Sequence, residues 1–89
     1  MNNQRRANLR NAQAILRKAQ ESIKIAYDIV EDAKGEEEDC MLCMPENLQE
    51  SDRYYEMEDR VDSMEDILLN IDTLDDSVDE IVDSIDTVM

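Results

Sequence analysis

The two cysteines of this chain are spaced as Cys40-Met41-Leu42-Cys43. That spacing can serve thiol–disulfide exchange or supply half of a tetrahedral zinc site. Exchange needs an activated thiol in a strand-to-helix setting, and the acids Glu36, Glu37, Glu38 and Asp39 precede the pair and oppose a thiolate. Zinc takes four ligands, and the chain offers two thiols and no His. Two copies could supply four thiols only if their turns met. The reading is therefore of ordinary buried or half-exposed thiols, with no metal and no cofactor. Met41, Leu42 and Met44 read as an apolar plug closing the end of a helical bundle.

Carboxylates are the other plentiful reactive group, with 24 Asp and Glu against nine Lys and Arg and a net charge of −15. Paired-carboxylate catalysis needs a concave, partly dry site, which a simple helical pattern does not promise. The chain has no His base and no Gly-rich phosphate loop, so no catalytic residues and no enzyme activity are expected. A calcium loop would need oxygen ligands at fixed spacing around a Gly turn. Helical acids promise only weak, nonspecific divalent binding.

The acids do form a pattern. From Val61 to Met89 there is no Lys or Arg. Asp62, Glu65, Asp66, Asp72, Asp76, Asp79, Glu80, Asp83 and Asp86 all fall on outward heptad positions, a stripe roughly 35 Å long at 1.5 Å per residue. A solvated helix face explains such a stripe most simply. Against that, like charges three and four apart destabilise a helix, and Asp is a mediocre helix former. A long one-signed stripe can also imitate a phosphate backbone and occupy a basic channel.

The elements that carry these residues follow from apolar spacing. Leu9, Leu16, Ile23 and Val30 recur every seven residues, and Ala12, Ala19, Ala26 and Ala33 recur three places later, an a/d heptad with an alanine edge. Ile15, Ile25 and Ile29 lie beside that edge and widen the apolar face towards a second partner. In the second half Met57, Met64, Ile71, Val78 and Ile85 are spaced by seven. Ile67, Leu74, Ile81 and Val88 follow three places later, and Val61, Leu68, Val82 and Met89 four places later. This stripe is three positions wide, with Asp75 the one charge inside it. Pro45 disfavours helix at Met44, and Ser51 or Asp52 suits an N-cap. The expected chain is one domain, residues 1–89: helix over about 4–42, a turn over about 43–51 and helix over about 52–87. The register favours a first helix that crosses Gly35, with Cys40 and Met44 on seam positions.

Charge orients the two helices. Residues 1–34 hold seven basic and four acidic side chains, whereas the remainder holds two basic and twenty acidic ones. Arg5, Arg6 and Arg10 sit at a helix N-terminus and Asp79, Glu80, Asp83 and Asp86 near a C-terminus, each the wrong end for the helix dipole. Antiparallel pairing brings those ends together. The expected fold class is thus all-α, an antiparallel two-helix hairpin of coiled-coil type. A lone hairpin buries little, so self-association into a homodimeric four-helix bundle is expected, against a monomer whose spare stripe is a partner site. Arg53, Tyr54 and Tyr55 follow the turn and either pack on the hairpin end or anchor an interface.

No apolar run is long enough to span a membrane, and the expected location is a cytoplasm, with reduced thiols. The stretch Met44-Pro45-Glu46-Asn47-Leu48-Gln49-Glu50-Ser51-Asp52-Arg53, followed by Met57-Glu58 and an Ile/Leu/Asp/Glu-rich tail, resembles a family of small helical proteins of bacteriophages and prophages of Firmicutes. Met1-Asn2-Asn3-Gln4-Arg5-Arg6 and the heptads after it resemble the same proteins. The chain departs from them at Cys40–Cys43, where Gln, Ala, Phe and Asn types are expected. The resemblance implies a small phage accessory protein in the host cytoplasm and carries over no catalytic residues. Net charge argues against direct binding of nucleic acid or anionic lipid. The functional expectation is a non-enzymatic interaction protein that inhibits a basic host nucleic-acid-handling or defence protein through its acidic face. The alternative is a scaffold or assembly protein whose acids only solvate a bundle.

Overall fold

The computed structural model describes residues 1–49 and 51–89; Glu50, in the expected turn, lies outside them. The described residues form two long helices and no strand. Helix α1 spans Asn3–Leu42 and helix α2 spans Asp52–Val88, with a short 3₁₀ turn at Glu46–Leu48 between them. The helices pack along each other into a rod of 70 × 16 × 12 Å.

Each boundary has a local cause. The Asn2 side chain accepts from the Arg5 amide at 2.8 Å and caps α1. The helix continues through Gly35, whose φ is negative. It ends before Met44, the residue that Pro45 forces out of helical geometry. Beyond it the Leu48 amide donates to the Pro45 carbonyl at 2.9 Å, and the Gln49 side-chain amide donates to the Met44 carbonyl at 3.3 Å. The Ser51 hydroxyl accepts from the Tyr54 amide at 3.3 Å and starts α2, satisfying one of the free donors that every helix start carries.

The seam between the helices corrects the expected one. On α1 the half-buried residues are Arg6, Leu9, Ala12, Gln13, Leu16, Gln20, Ile23, Tyr27, Val30, Lys34, Glu37, Glu38 and Met41, and Met44 follows just past its end. The leucine row is as expected, but its companion row lies four places on rather than three. Ala19, Ala26 and Ala33 are exposed, as is Cys40. On α2 the seam is Tyr54, Met57, Val61, Met64, Leu68, Ile71, Asp75, Val78, Val82, Ile85 and Met89, again the four-later row. Met57, Leu68, Val78 and Val82 are its fully buried members. Long polar side chains explain the choice on α1. From that row Gln13 and Gln20 cross to α2 and donate to the carbonyls of Val82 and Asp75 at 3.0 and 3.3 Å, contacts an alanine cannot make.

Candidate protein-interaction surfaces

Because both helices use the same heptad positions for the seam, their remaining faces fall into matching rows. In an antiparallel pair, equivalent positions on the two helices open to the same side of the hairpin. One broad side carries charge. Arg17, Lys24 and Glu31 on α1 stand beside Asp79, Asp72 and Glu65 on α2. Arg17 makes an ion pair with Asp79 while also donating to Gln20 Oε1 at 2.7 Å. Gln20 Nε2 donates to Asp79 Oδ1 at 2.8 Å, and Gln13 Nε2 donates to Asp86 Oδ1 at 2.7 Å. The hydrogen bond from Gln20, then that from Arg17 and its positive charge, hold the Asp79 carboxyl below its ordinary value. The pair is half exposed, so solvent screening leaves it a small contribution to stability.

A groove of about 630 Å³ runs along this side, with Tyr27, Lys24, Asp72 and Asp75 among its walls. The Asp72 carboxylate raises the Tyr27 phenol above its usual value, with help from partial loss of water and from Glu31. Nearer the turn, Lys34 lies 3.3 Å from Glu38, whose hydrogen bond and charge raise the ammonium above its ordinary value. Tyr27, Gln13 and Gln20 were not singled out from sequence. The signal that could have found them is that all lie four places after a Leu or Ile of the heptad row.

The carboxylates of Asp75, Asp76 and Asp79 come within 4.8 Å of one another. Such oxygens suit a hard cation completed by water, but Asp79 is already committed to Gln20 and Arg17, and three acids on adjacent turns of an acidic helix meet without any ion.

The outer edge of α2 is different. Asp62, Asp66, Asp76, Glu80 and Asp83 are exposed. Among the described residues the ion pairs involve Asp28, Glu37, Glu38, Glu56 and Asp79, and none reaches that edge. The expected nine-residue stripe thus divides in two. Asp79 and Asp86 are tied to α1 and, with Asp72 and Glu65, border the groove side; the other five form an edge open to solvent.

The opposite broad side is apolar. Ile15, Ile25 and Ile29 are each at least 60 % exposed, Ile15 and Ile29 on this side and Ile25 on the back of α1, away from the seam. At the turn end of this side a recess of about 400 Å³ brings Cys40 and Cys43 together with Arg53 and Arg60. Acids therefore are not the only charged neighbours of the thiols. Arg60 also pairs with Glu37 at 3.3 Å. Tyr54 is half buried in the seam, whereas Tyr55 is exposed. Their rings meet edge to face with centroids 6.2 Å apart. Tyr54 thus packs on the hairpin end, and Tyr55 and Arg53 remain on the surface.

No helix among the described residues is long and apolar enough to cross a membrane. The chain matches no protein-family model, no curated protein and no solved structure.

Proposed function

We propose that this chain is a non-enzymatic interaction protein that offers the outer edge of α2 to a basic surface on another protein, as a mimic of a polyanion. The observation that supports this most is the division of the acids. From α1, Arg17 and Gln20 meet Asp79 and Gln13 meets Asp86 of the inner row, while Asp62, Asp66, Asp76, Glu80 and Asp83 have no cation within ion-pair distance among the described residues. Self-repulsion along such an edge costs helix stability, and a basic partner would remove that cost while gaining counter-charge. The resemblance to small phage proteins fits an accessory role against a host nucleic-acid-handling or defence protein.

The test is affinity capture from a host lysate in low and high salt, repeated with Asp62→Lys/Asp76→Lys/Asp83→Lys. A partner held at low salt, released at high salt, lost with the triple variant and competed off by duplex DNA supports the reading. Binding that ignores salt and charge reversal overturns it. A second reading, a scaffold protein, is favoured by the exposed apolar side of the hairpin. It expects self-assembly that is indifferent to the same three reversals.

A further inference from the structure

The recess at the turn end gathers the soft donor atoms of the chain. Cys40, Cys43, Met44 and Met57 all line it, so four sulfur-bearing side chains border one space of about 400 Å³. Helix geometry sets the spacing of the thiols. The Cys43 backbone is still helical, with φ −84° and ψ −6°, and its amide donates to the Asp39 carbonyl at 3.1 Å. Cys40 and Cys43 therefore stand one turn apart on one face, about 5–6 Å between Cβ atoms, near enough for both sulfurs to reach one ion. Both thiols are free and exposed. The residue after them is held by two hydrogen bonds. The Met44 amide donates to the Met41 carbonyl at 3.2 Å, and the Met44 carbonyl accepts from the Gln49 side chain at 3.3 Å. Met44 is half-buried, whereas Met57, 6 % exposed, belongs to the seam.

We infer that this recess binds one soft monovalent metal ion, Cu(I), through the Cys40 and Cys43 thiolates and the Met44 thioether, with Met57 as an apolar wall. This goes beyond the proposed use of the acidic edge and is independent of it. Donor type selects the ion. Thiolate and thioether sulfurs together suit Cu(I), whereas zinc takes four ligands from Cys, His and carboxylates. Among the described residues the group of three such side chains whose donor atoms come together is Asp75, Asp76 and Asp79, far along α2. No carboxylate therefore joins the two thiols to build a zinc site. Glu37 borders the same recess but is engaged by Arg60 at 3.3 Å. Charge agrees with the choice. Two thiolates and one Cu(I) carry a net charge of about −1, and Arg53 and Arg60 line the recess with the opposite sign. On binding, each thiol gives its proton to solvent. Copper stays Cu(I), so the step consumes no oxidant or reductant.

Two measurements test this on the full chain, reduced and kept free of oxygen. The first is titration with Cu(I) in competition with a chromogenic Cu(I) chelator, for wild type, Cys40→Ser/Cys43→Ser and Met44→Leu. The second is X-ray absorption at the copper edge. The expected results are one Cu(I) per chain that zinc does not displace, and a sulfur-only shell that loses one sulfur in Met44→Leu. Binding should vanish in the double serine variant, which stays helical by circular dichroism because both cysteines are exposed. Met44→Leu should weaken it by about tenfold or more, since loss of even an outer partner of a metal costs that much. Copper left entirely with the chelator, equal binding by the double serine variant, or unchanged affinity in Met44→Leu overturns the inference. So does an oxygen or nitrogen shell, one copper shared between two chains, or displacement by zinc.

Discussion

Gln20 reaches across the hairpin to Asp79, its Nε2 lying 2.8 Å from Oδ1, and the same amide donates to the Asp75 carbonyl at 3.3 Å. One seam side chain thus clasps two successive turns of α2, and Arg17 closes on the same carboxylate.

That clasp has a pH signature. The Asp79 carboxyl sits below its ordinary 3.8, through Gln20 first and then Arg17. A depressed folded-state pKa stabilises the fold fully above the unfolded value and loses that contribution as pH falls through the folded value. Denaturant unfolding of wild type and Asp79→Asn across the acid range should show a wild-type advantage near neutrality that fades below the ordinary carboxylate value. An advantage constant with pH would count against it.

At high pH two groups work in the other direction. Tyr27 is raised above 10.0 mainly by Asp72, and Lys34 above 10.5 mainly by the Glu38 hydrogen bond. Groups raised in the fold stabilise it below their unfolded values and lose that contribution as pH climbs through the folded values. Ultraviolet titration of a Tyr54→Phe/Tyr55→Phe variant should find the remaining phenol ionising above 10.0, and Asp72→Asn should bring it down.

Leu68 is 7 % exposed in the seam and its neighbour Leu69 is 60 % exposed on the outer edge. Leu68→Ala should cost about 2–4 kcal/mol through lost transfer energy and a cavity, whereas Leu69→Ala should stay within about 0.5 kcal/mol. Equal losses in urea unfolding would mean that the seam has been placed in the wrong register.

Gly35 lies inside α1 with negative φ and nothing within 4 Å of the site of a Cβ. Gly35→Ala should therefore raise stability by about 1 kcal/mol, the helix-propensity difference. A loss on thermal unfolding would point to a need for the glycine outside the helix itself.

The net charge of −15 should make salt stabilising. Screening weakens the repulsion along α2 more than it weakens a few exposed ion pairs. The unfolding temperature is expected to rise from about 50 mM to about 500 mM NaCl. A fall would show that bridges such as Arg17–Asp79 outweigh the repulsion.

Much of this architecture is legible in residue order. Seven-residue recurrences of Leu9, Leu16, Ile23 and Val30, and of Met57 through Ile85, demand two long helices, because only a helix gathers such positions on one side. Pro45 and Ser51 place the break, since one forbids helix before it and the other caps the helix after it. The split of basic and acidic residues favours the antiparallel direction. The excess width of both stripes announces an apolar face that the hairpin leaves open.

Residue order does not decide which of two overlapping heptads becomes the seam. Leu9 and Leu16 pair equally well with Ala12 three places on or with Gln13 four places on, and Met57 and Met64 leave the same choice on α2. Both readings satisfy helical periodicity, and apolarity alone prefers alanine to glutamine. Tertiary structure decides, because the worth of a position depends on what stands across from it. Gln13 and Gln20 find carbonyls and carboxylates of α2 within hydrogen-bond reach, and Ala19, Ala26 and Ala33 are left exposed while Ala12 stays half-buried. The same choice divides the acids of α2 into a row tied to α1 and an edge open to solvent, a distinction that depends on the distance to Arg17 and its neighbours.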